Sequence, residues 1–362
     1  MRIVAKVGTS SLTNGDGVIQ RDVVASLCDQ MADLRKRGHE VILVSSAAIS
    51  AGVSALGLSA RPTDVLTLQA LAAVGQPRLM EEYNRSLARH GLVAAQVLLV
   101  PHDFADRQQY LHSRNTLARL LDLGCVPIVN ENDTVASDEI RFGDNDRIAA
   151  LVAHNVSADL LVLLTDTPGL YTADPRTDPS AALIADVAAN DPLLSVAAGA
   201  KGTARGSGGM ASKLQAARIA SWSGVRAVIA QALRPDVLVD AVAGLSVGTS
   251  FAPNDRRLSA RKLWIGFASH SQGSVTVDAG AYAALVDGGR SLLPAGVIGV
   301  EGDFLEGATI EVCNPDGVVF ARGMAVLSAD TVQQHAGRST RDLPARIAHE
   351  VIHRDDLVLL PH

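Results

Sequence analysis

Cysteine is scarce in this chain of 362 residues: Cys28, Cys125 and Cys313 are the full set, and they lie far apart. No disulfide framework, metal-ligand set or redox pair can be read from that spacing, which points to a reduced, cytoplasmic setting. Aromatic residues are also few, at 3% against 48% apolar residues overall. Such a composition excludes a disordered or coiled chain and suits α/β layers built from small and branched side chains. No charged, apolar and cleavage-site order of a targeting segment precedes the opening strand RIVAKV. The stretch from Val41 to Ala60 is uncharged over twenty residues, long enough in principle to span a membrane. Its five serines, two glycines and strand-then-turn pattern make it a buried strand and helix instead, so no membrane partner is expected. Lysine is missing altogether from residue 272 onward, where 6 arginines face 12 acidic residues, while residues 1–271 hold 26 basic and 26 acidic side chains. All of the net charge of −6 therefore arises in the last quarter.

A length of 362 residues exceeds one ordinary core and implies two domains. Short β-branched runs alternate with longer helical patterns, the mark of βαβ units and a parallel sheet covered on both faces. Strands read at Ile3–Val7, Glu40–Val44, Ala94–Val100, Val126–Val129, Leu160–Leu164 and Ala227–Ala230. Helices read around Arg21–Arg37, Val65–Arg89, Ser113–Leu123, Arg147–His154, Gly209–Ser223 and Asp236–Ala243. Ligands in such sheets bind outside the carboxyl ends of the strands, so the turns there carry the chemistry.

The most informative turn is IVNENDTVASDEIRFGDNDR, residues 128–147. A buried strand runs into Asn130, Glu131, Asn132 and Asp133; Gly143, Asp144, Asn145 and Asp146 then open a helix. Clustered carboxylates and amides suit a small ligand with an ammonium group, whose three protons need acceptors. An acidic surface loop with a helix capped by Asp144 is the plainer alternative.

Four other turns share that edge. In KVGTSSL, Lys6 lies inside an apolar strand and needs an anion, for which phosphate is a candidate beside Gly8; a lysine snorkelling at a sheet edge is the alternative. In VSSAAISAG, Ser45 and Ser46 end a strand and start a helix, fit for an anion or for ordinary capping. In LLTDTPGLYTADPR, Thr165 and Asp166 end a strand, where a nucleoside edge or simple turn chemistry would explain them equally. In GTARGSGGMASKLQAA, four glycines precede Ser212 and Lys213 at a helix start; amides, helix dipole and lysine suit a phosphate, although the spacing is not that of Walker A.

In this order, KVGTS, SSAAI, VNENDTVA, FGDNDR, LLTDTPGLYTADPR and SGGMASKLQAA resemble the amino-acid kinase family over essentially the whole chain, in its branch acting on the γ-carboxylate of glutamate. The resemblance implies a three-layer sandwich with a mainly parallel central sheet. It implies Lys6, Lys213 and Asp146 as catalytic residues, the lysines stabilising the γ-phosphoryl charge and Asp146 orienting them. ATP would be held by Lys6, Thr165, Asp166, Ser207, Gly208, Gly209, Met210, Ala211, Ser212 and Lys213. L-Glutamate would be bound by Ser46, Asp133 and Asn145. Mg²⁺ is implied as a cofactor, with no side chain assigned to it. A homo-oligomer, dimer or tetramer, is implied as well, with hand-off to glutamyl phosphate reductase and feedback inhibition by proline. Ala47 departs from the family, which usually has glycine there; if that backbone needs a positive φ, the methyl weakens glutamate or phosphate binding.

The C-terminal quarter changes to short strands and glycine turns, and it resembles a PUA domain. The expected organisation is a kinase domain at 1–250, a linker at 251–272, a PUA-like domain at 273–353 and a tail at 354–362. RNA phosphates require basic surface, and residues 273–353 carry twice as many acids as arginines, so nucleic acid is not expected as a partner. The activity implied is the ATP-dependent formation of γ-glutamyl phosphate, which opens proline biosynthesis. Kinases of aspartate or N-acetylglutamate are the alternatives, followed by an RNA-binding protein using the PUA-like domain.

Overall fold

The computed structural model describes the chain apart from residues 105, 136–144, 174, 176, 190, 192–208, 256–257, 269–270, 340–343, 345–347 and 361–362. Two compact units emerge, Met1–Arg257 and Leu258–His362.

The first unit is organised on an eight-stranded sheet. In chain order its strands are β1 (Arg2–Val7), β2 (Glu40–Val44), β3 (Ala94–Leu99), β4 (Val126–Glu131), β5 (Leu160–Thr165), β6 (Asp186–Val187), β7 (Arg226–Gln231) and β8 (Gly248–Phe251). They lie in the order β3-β4-β2-β1-β5-β7-β8-β6. Pairing is parallel except between β7 and β8. Every residue of β4 and β5 is buried, as a sheet covered on both faces demands.

The helices are α1 (Thr9–Leu12), α2 (Arg21–Lys36), α3 (Ala48–Ala55), α4 (Val65–Ala88), α5 (Arg107–Asp122), α6 (Asn145–Asn155), α7 (Gly209–Trp222) and α8 (Val237–Val242). On one face, α2, α4 and α8 pack Leu27, Met31, Leu79, Tyr83 and Leu238 against Ile3, Ala5, Leu43 and Val162 of the strands. The other layer contains α6, buried along all eleven of its residues, with α7 beside it. α5 starts six residues before the expected Ser113, because Asp106 accepts a hydrogen bond from the amide of Gln109 at 2.8 Å and caps the helix.

The second unit holds a five-stranded sheet of β9 (Ser274–Val277), β10 (Val297–Glu301), β11 (Thr309–Cys313), β12 (Val319–Ala325) and β13 (Ile352–Leu359), in the order β10-β9-β11-β12-β13. Its separate core includes Phe304, Ile310, Val312, Phe320 and Ile352. Two expectations need correcting. Residues Ala260–Leu263 form a helix, α9, and its Arg261 grips Asp356 with both guanidinium arms, so this part of the expected linker belongs to the second unit. The expected tail is also structured through residue 359: β13 pairs Leu357, Val358 and Leu359 with β12. The charged run His353–Asp356 disguised that strand, since none of its four residues is buried and the apolar residues Leu357 and Val358 follow only after it.

Candidate active site

Side chains alternate across a strand, so Lys6 projects from β1 on the face opposite Ile3, Ala5 and Val7. That face is covered by α6, whose second residue is Asp146. Lys6 Nζ lies 2.6 Å from Asp146 Oδ1, and Lys213 Nζ, from the start of α7, lies 3.3 Å from Asp146 Oδ2. Ser212 Oγ donates to the same Oδ2 at 2.7 Å, and Lys213 Nζ donates to the carbonyl of Gly209 at 3.0 Å. Exposures of 5%, 3% and 6% for Lys6, Asp146 and Lys213 mean that water cannot screen these charges. Burial pushes the Asp146 carboxyl up, but the two ammonium groups and the hydrogen bonds from Lys6 and Ser212 outweigh it and hold it below the usual range. Two cations and one anion leave a net positive charge, which suits a bound anion.

β5 adjoins β1, with Lys6 in register with Leu163, so Thr165 stands two residues further towards the same sheet edge. Thr165 is buried and its Oγ1 donates to Oδ1 of the exposed Asp166 at 3.0 Å. Gly209 and Ala211 are exposed at the start of α7, with Met210 and Ser212 half-buried. Ser207 and Gly208, expected to contact ATP, lie outside the described residues, as does Asp144, expected as a helix cap.

A second arrangement adjoins the first through Asn145. Its Nδ2 donates to Ser46 Oγ at 3.3 Å, and its Oδ1 accepts from the backbone amide of Glu131 at 3.1 Å. Glu131, Asn132 and Asp133 line a cavity of about 200 Å³ together with Ala48, Gln76 and Pro77. Burial raises the Asp133 carboxyl to about 6, and the Arg61 guanidinium offsets this only in part. Ala47, between Ser46 and this cavity's Ala48, has φ 78° and ψ 9°, the left-handed conformation that the residue pattern had raised as a possibility.

The two arrangements meet at consecutive residues, Asn145 and Asp146, at the start of one buried helix. Residues 1–231 match the model of the amino acid kinase family.

The chain belongs to the amino acid kinase family.

Residues 273–347 of this amino acid kinase match the PUA domain model. It is 49% identical to "Glutamate 5-kinase" of Herpetosiphon aurantiacus, over 99% of this chain and 98% of that one. A protein of the same name from Trichlorobacter lovleyi is 46% identical over 100% of this chain and 97% of its own. Another, from Mycobacterium ulcerans, is 47% identical over 98% and 96% respectively. The UMP kinase of Ureaplasma parvum aligns in three dimensions over 69% of this chain and 98% of its own at 16% identity, with a TM-score of 0.49.

Sequence reasoning missed Gln76 of this kinase. Gln76 lies on α4 and lines the cavity; its Oε1 accepts from Asn130 Nδ2 at 2.9 Å, and its Nε2 donates to Gln96 Oε1 at 2.9 Å. A glutamine between Gly75 and Pro77 inside a long helical pattern was the available signal, since that run otherwise reads as packing surface. Pro77 has no N–H to give the carbonyl of Ala73, and both residues line the cavity.

Proposed function

We infer that the protein transfers the γ-phosphoryl group of ATP to the γ-carboxylate of L-glutamate, giving ADP and γ-glutamyl phosphate, the opening step of proline biosynthesis. The observation that carries this reading is the acid-lined cavity joined, through Asn145, to the carboxylate shared by Lys6 and Lys213. Full-length relatives named for the same activity support it. An acylated amino acid has no ammonium for the Glu131–Asp133 edge, which favours glutamate over N-acetylglutamate.

The γ-carboxylate is ionised at neutral pH, so its oxygen attacks the γ-phosphorus without a general base. A carboxylate oxygen–phosphorus bond forms as the bond from the γ-phosphorus to the bridging oxygen breaks, and ADP leaves with that electron pair. Catalysis then rests on alignment and on cations placed where charge grows. Lys6 and Lys213 supply those cations, and Asp146 orients them. Thr165, Asp166 and the segment 207–213 form the ATP side, while Ser46, Asp133 and Asn145 form the glutamate side.

Mg²⁺ would enter with the nucleotide and neutralise charge on its phosphates. Among the described residues no group of three His, Cys, Asp or Glu is placed to hold a metal, and Asp146 is occupied by both lysines. Phosphate oxygens and water are thus its natural ligands here.

Self-association as a dimer or tetramer, and inhibition by proline, complete the reading by likeness to the family. Hand-off to glutamyl phosphate reductase fits the chemistry, because an acyl phosphate hydrolyses in water. Among the described residues no helix is long and apolar enough to cross a membrane.

ADP release measured with glutamate, aspartate, N-acetylglutamate, carbamate and UMP tests the reading. Turnover with glutamate at least about a hundredfold above the others is expected. Preference for any of the others overturns it.

A further inference from the structure

Helix α4 contributes Gln76 to the cavity, and it also touches the segment that carries Ser46 at two further points. Gly75, Leu79 and Tyr83 recur every four residues and so share one face of α4. At one end of this face the backbones of α3 and α4 are in contact. A Cβ on Gly75 would lie 1.8 Å from the carbonyl oxygen of Ala48 and 2.5 Å from the amide nitrogen of Gly52, and one on Gly52 would lie 2.0 Å from the carbonyl oxygen of Leu71. At the other end, the hydroxyl of the fully buried Tyr83 lies 2.8 Å from Ser45 Oγ, itself fully buried. Ser45 is bound through its amide to Val129 of β4, and the next residue, Ser46, accepts from Asn145.

We propose that Tyr83 and Gly75 are positioning residues for the amino-acid pocket, clamping the two ends of Ser45–Gly52 so that Ser46 meets Asn145. This rests on the reading that the cavity and Ser46 bind the amino-acid substrate. The clamp uses a hydroxyl at one end and the absence of a side chain at the other. The contacts of Tyr83 with Ser45 and of Gly75 with Ala48 and Gly52 all lie on the side assigned to the amino acid, so the two substrates respond differently to the loss of the clamp. Tyr83 stays neutral across the working range, since burial pushes its phenol above the ordinary value.

The test is steady-state kinetics on the full-length Tyr83→Phe, Ser45→Ala, doubly substituted and Gly75→Ala proteins, with thermal unfolding measured alongside. Tyr83→Phe is expected to raise KM for glutamate about fivefold to tenfold, with KM for ATP within about twofold of wild type. If Tyr83 acts through Ser45, the double substitution raises KM no further than either single one. Gly75→Ala is expected to raise KM for glutamate more than tenfold by displacing α3; should it fail to fold, Tyr83→Phe and Ser45→Ala decide alone. A Tyr83→Phe enzyme with wild-type KM for glutamate overturns the proposal, as do additive effects or an equal rise in KM for ATP. Wild-type protein that does not phosphorylate glutamate refutes the function instead, and the KM ratio is then read with the amino acid it does phosphorylate.

Discussion

Lys213 approaches Oδ2 of Asp146 at 3.3 Å from the first turns of α7, at the carboxylate whose other oxygen is taken by the lysine of β1. A single anion between two buried cations holds them close without cancelling both. The cost of burying the two ammonium groups is offset only while that carboxylate is present.

Replacing Lys213 by Ala is expected to lower kcat by at least about a hundredfold to a thousandfold, because charge on the migrating phosphoryl group loses one of two cations. KM for glutamate is expected to stay within about twofold, since Lys213 adjoins Asp146 and not the acid-lined cavity. Initial rates over a grid of both substrates measure this, and near-normal kcat would rule out the role.

Asp146→Asn strips the countercharge from two buried ammonium groups. Breaking a buried ion pair costs about 3–5 kcal/mol, so a clear drop in urea midpoint is expected together with loss of turnover. The wild-type Asp146 carboxyl is held below its ordinary value, so its stabilisation is fully present above about pH 3.9 and is lost as pH falls through the lower folded-state value. The stability gap between wild type and Asp146→Asn is therefore expected to be flat from pH 5 to 8 and to close only in strong acid. A gap that narrows near neutrality contradicts this assignment.

Asp133 behaves in the opposite sense. Its folded-state value of about 6 lies above the unfolded one, so folding is disfavoured as pH rises from the ordinary carboxylate range through about 6. Its ionised form is the better acceptor for the glutamate ammonium. KM for glutamate is thus expected to fall as pH rises through about 6, and Asp133→Asn to show a higher KM without that step. A wild-type KM that is level from pH 5 to 7.5 removes Asp133 from the ammonium site.

Ala47 holds a left-handed conformation at φ 78°, which costs a residue with a Cβ about 1–2 kcal/mol. Ala47→Gly relieves that strain but gives the unfolded chain more freedom, so a net gain of up to about 1 kcal/mol is expected. If the methyl also crowds the substrate, KM for glutamate falls with it. Unchanged kcat and KM with a raised Tm would show that the strain is tolerated and the ligand is not crowded.

From residue 272 onward the chain carries no lysine and twice as many acids as arginines, so no salt-dependent mobility shift is expected with total RNA at micromolar protein. A shift that weakens as salt rises would reverse that reading.

Local pattern alone determined much of this kinase. Alternating strand and helix signals located β1, β2, β4, β5 and β7 within a residue or two, because buried parallel strands must be continuously apolar and their punctuation is glycine and polar turns. The isolated lysine of β1, among only five lysines in the chain, marked a charge that needed a partner. The charged run in β13 hid a strand, because Arg354 and Asp355 in its middle answer to solvent rather than to the core. What composition and spacing could not supply was distance. Asp146 as the shared partner of Lys6 and Lys213, Gln76 beside the acidic turn, Gly75 against Ala48 and Gly52, and Tyr83 against Ser45 all depend on how the helices cross the sheet and one another. Those crossings are decided by backbone approach and side-chain interlocking between segments far apart in the chain, which no local periodicity encodes.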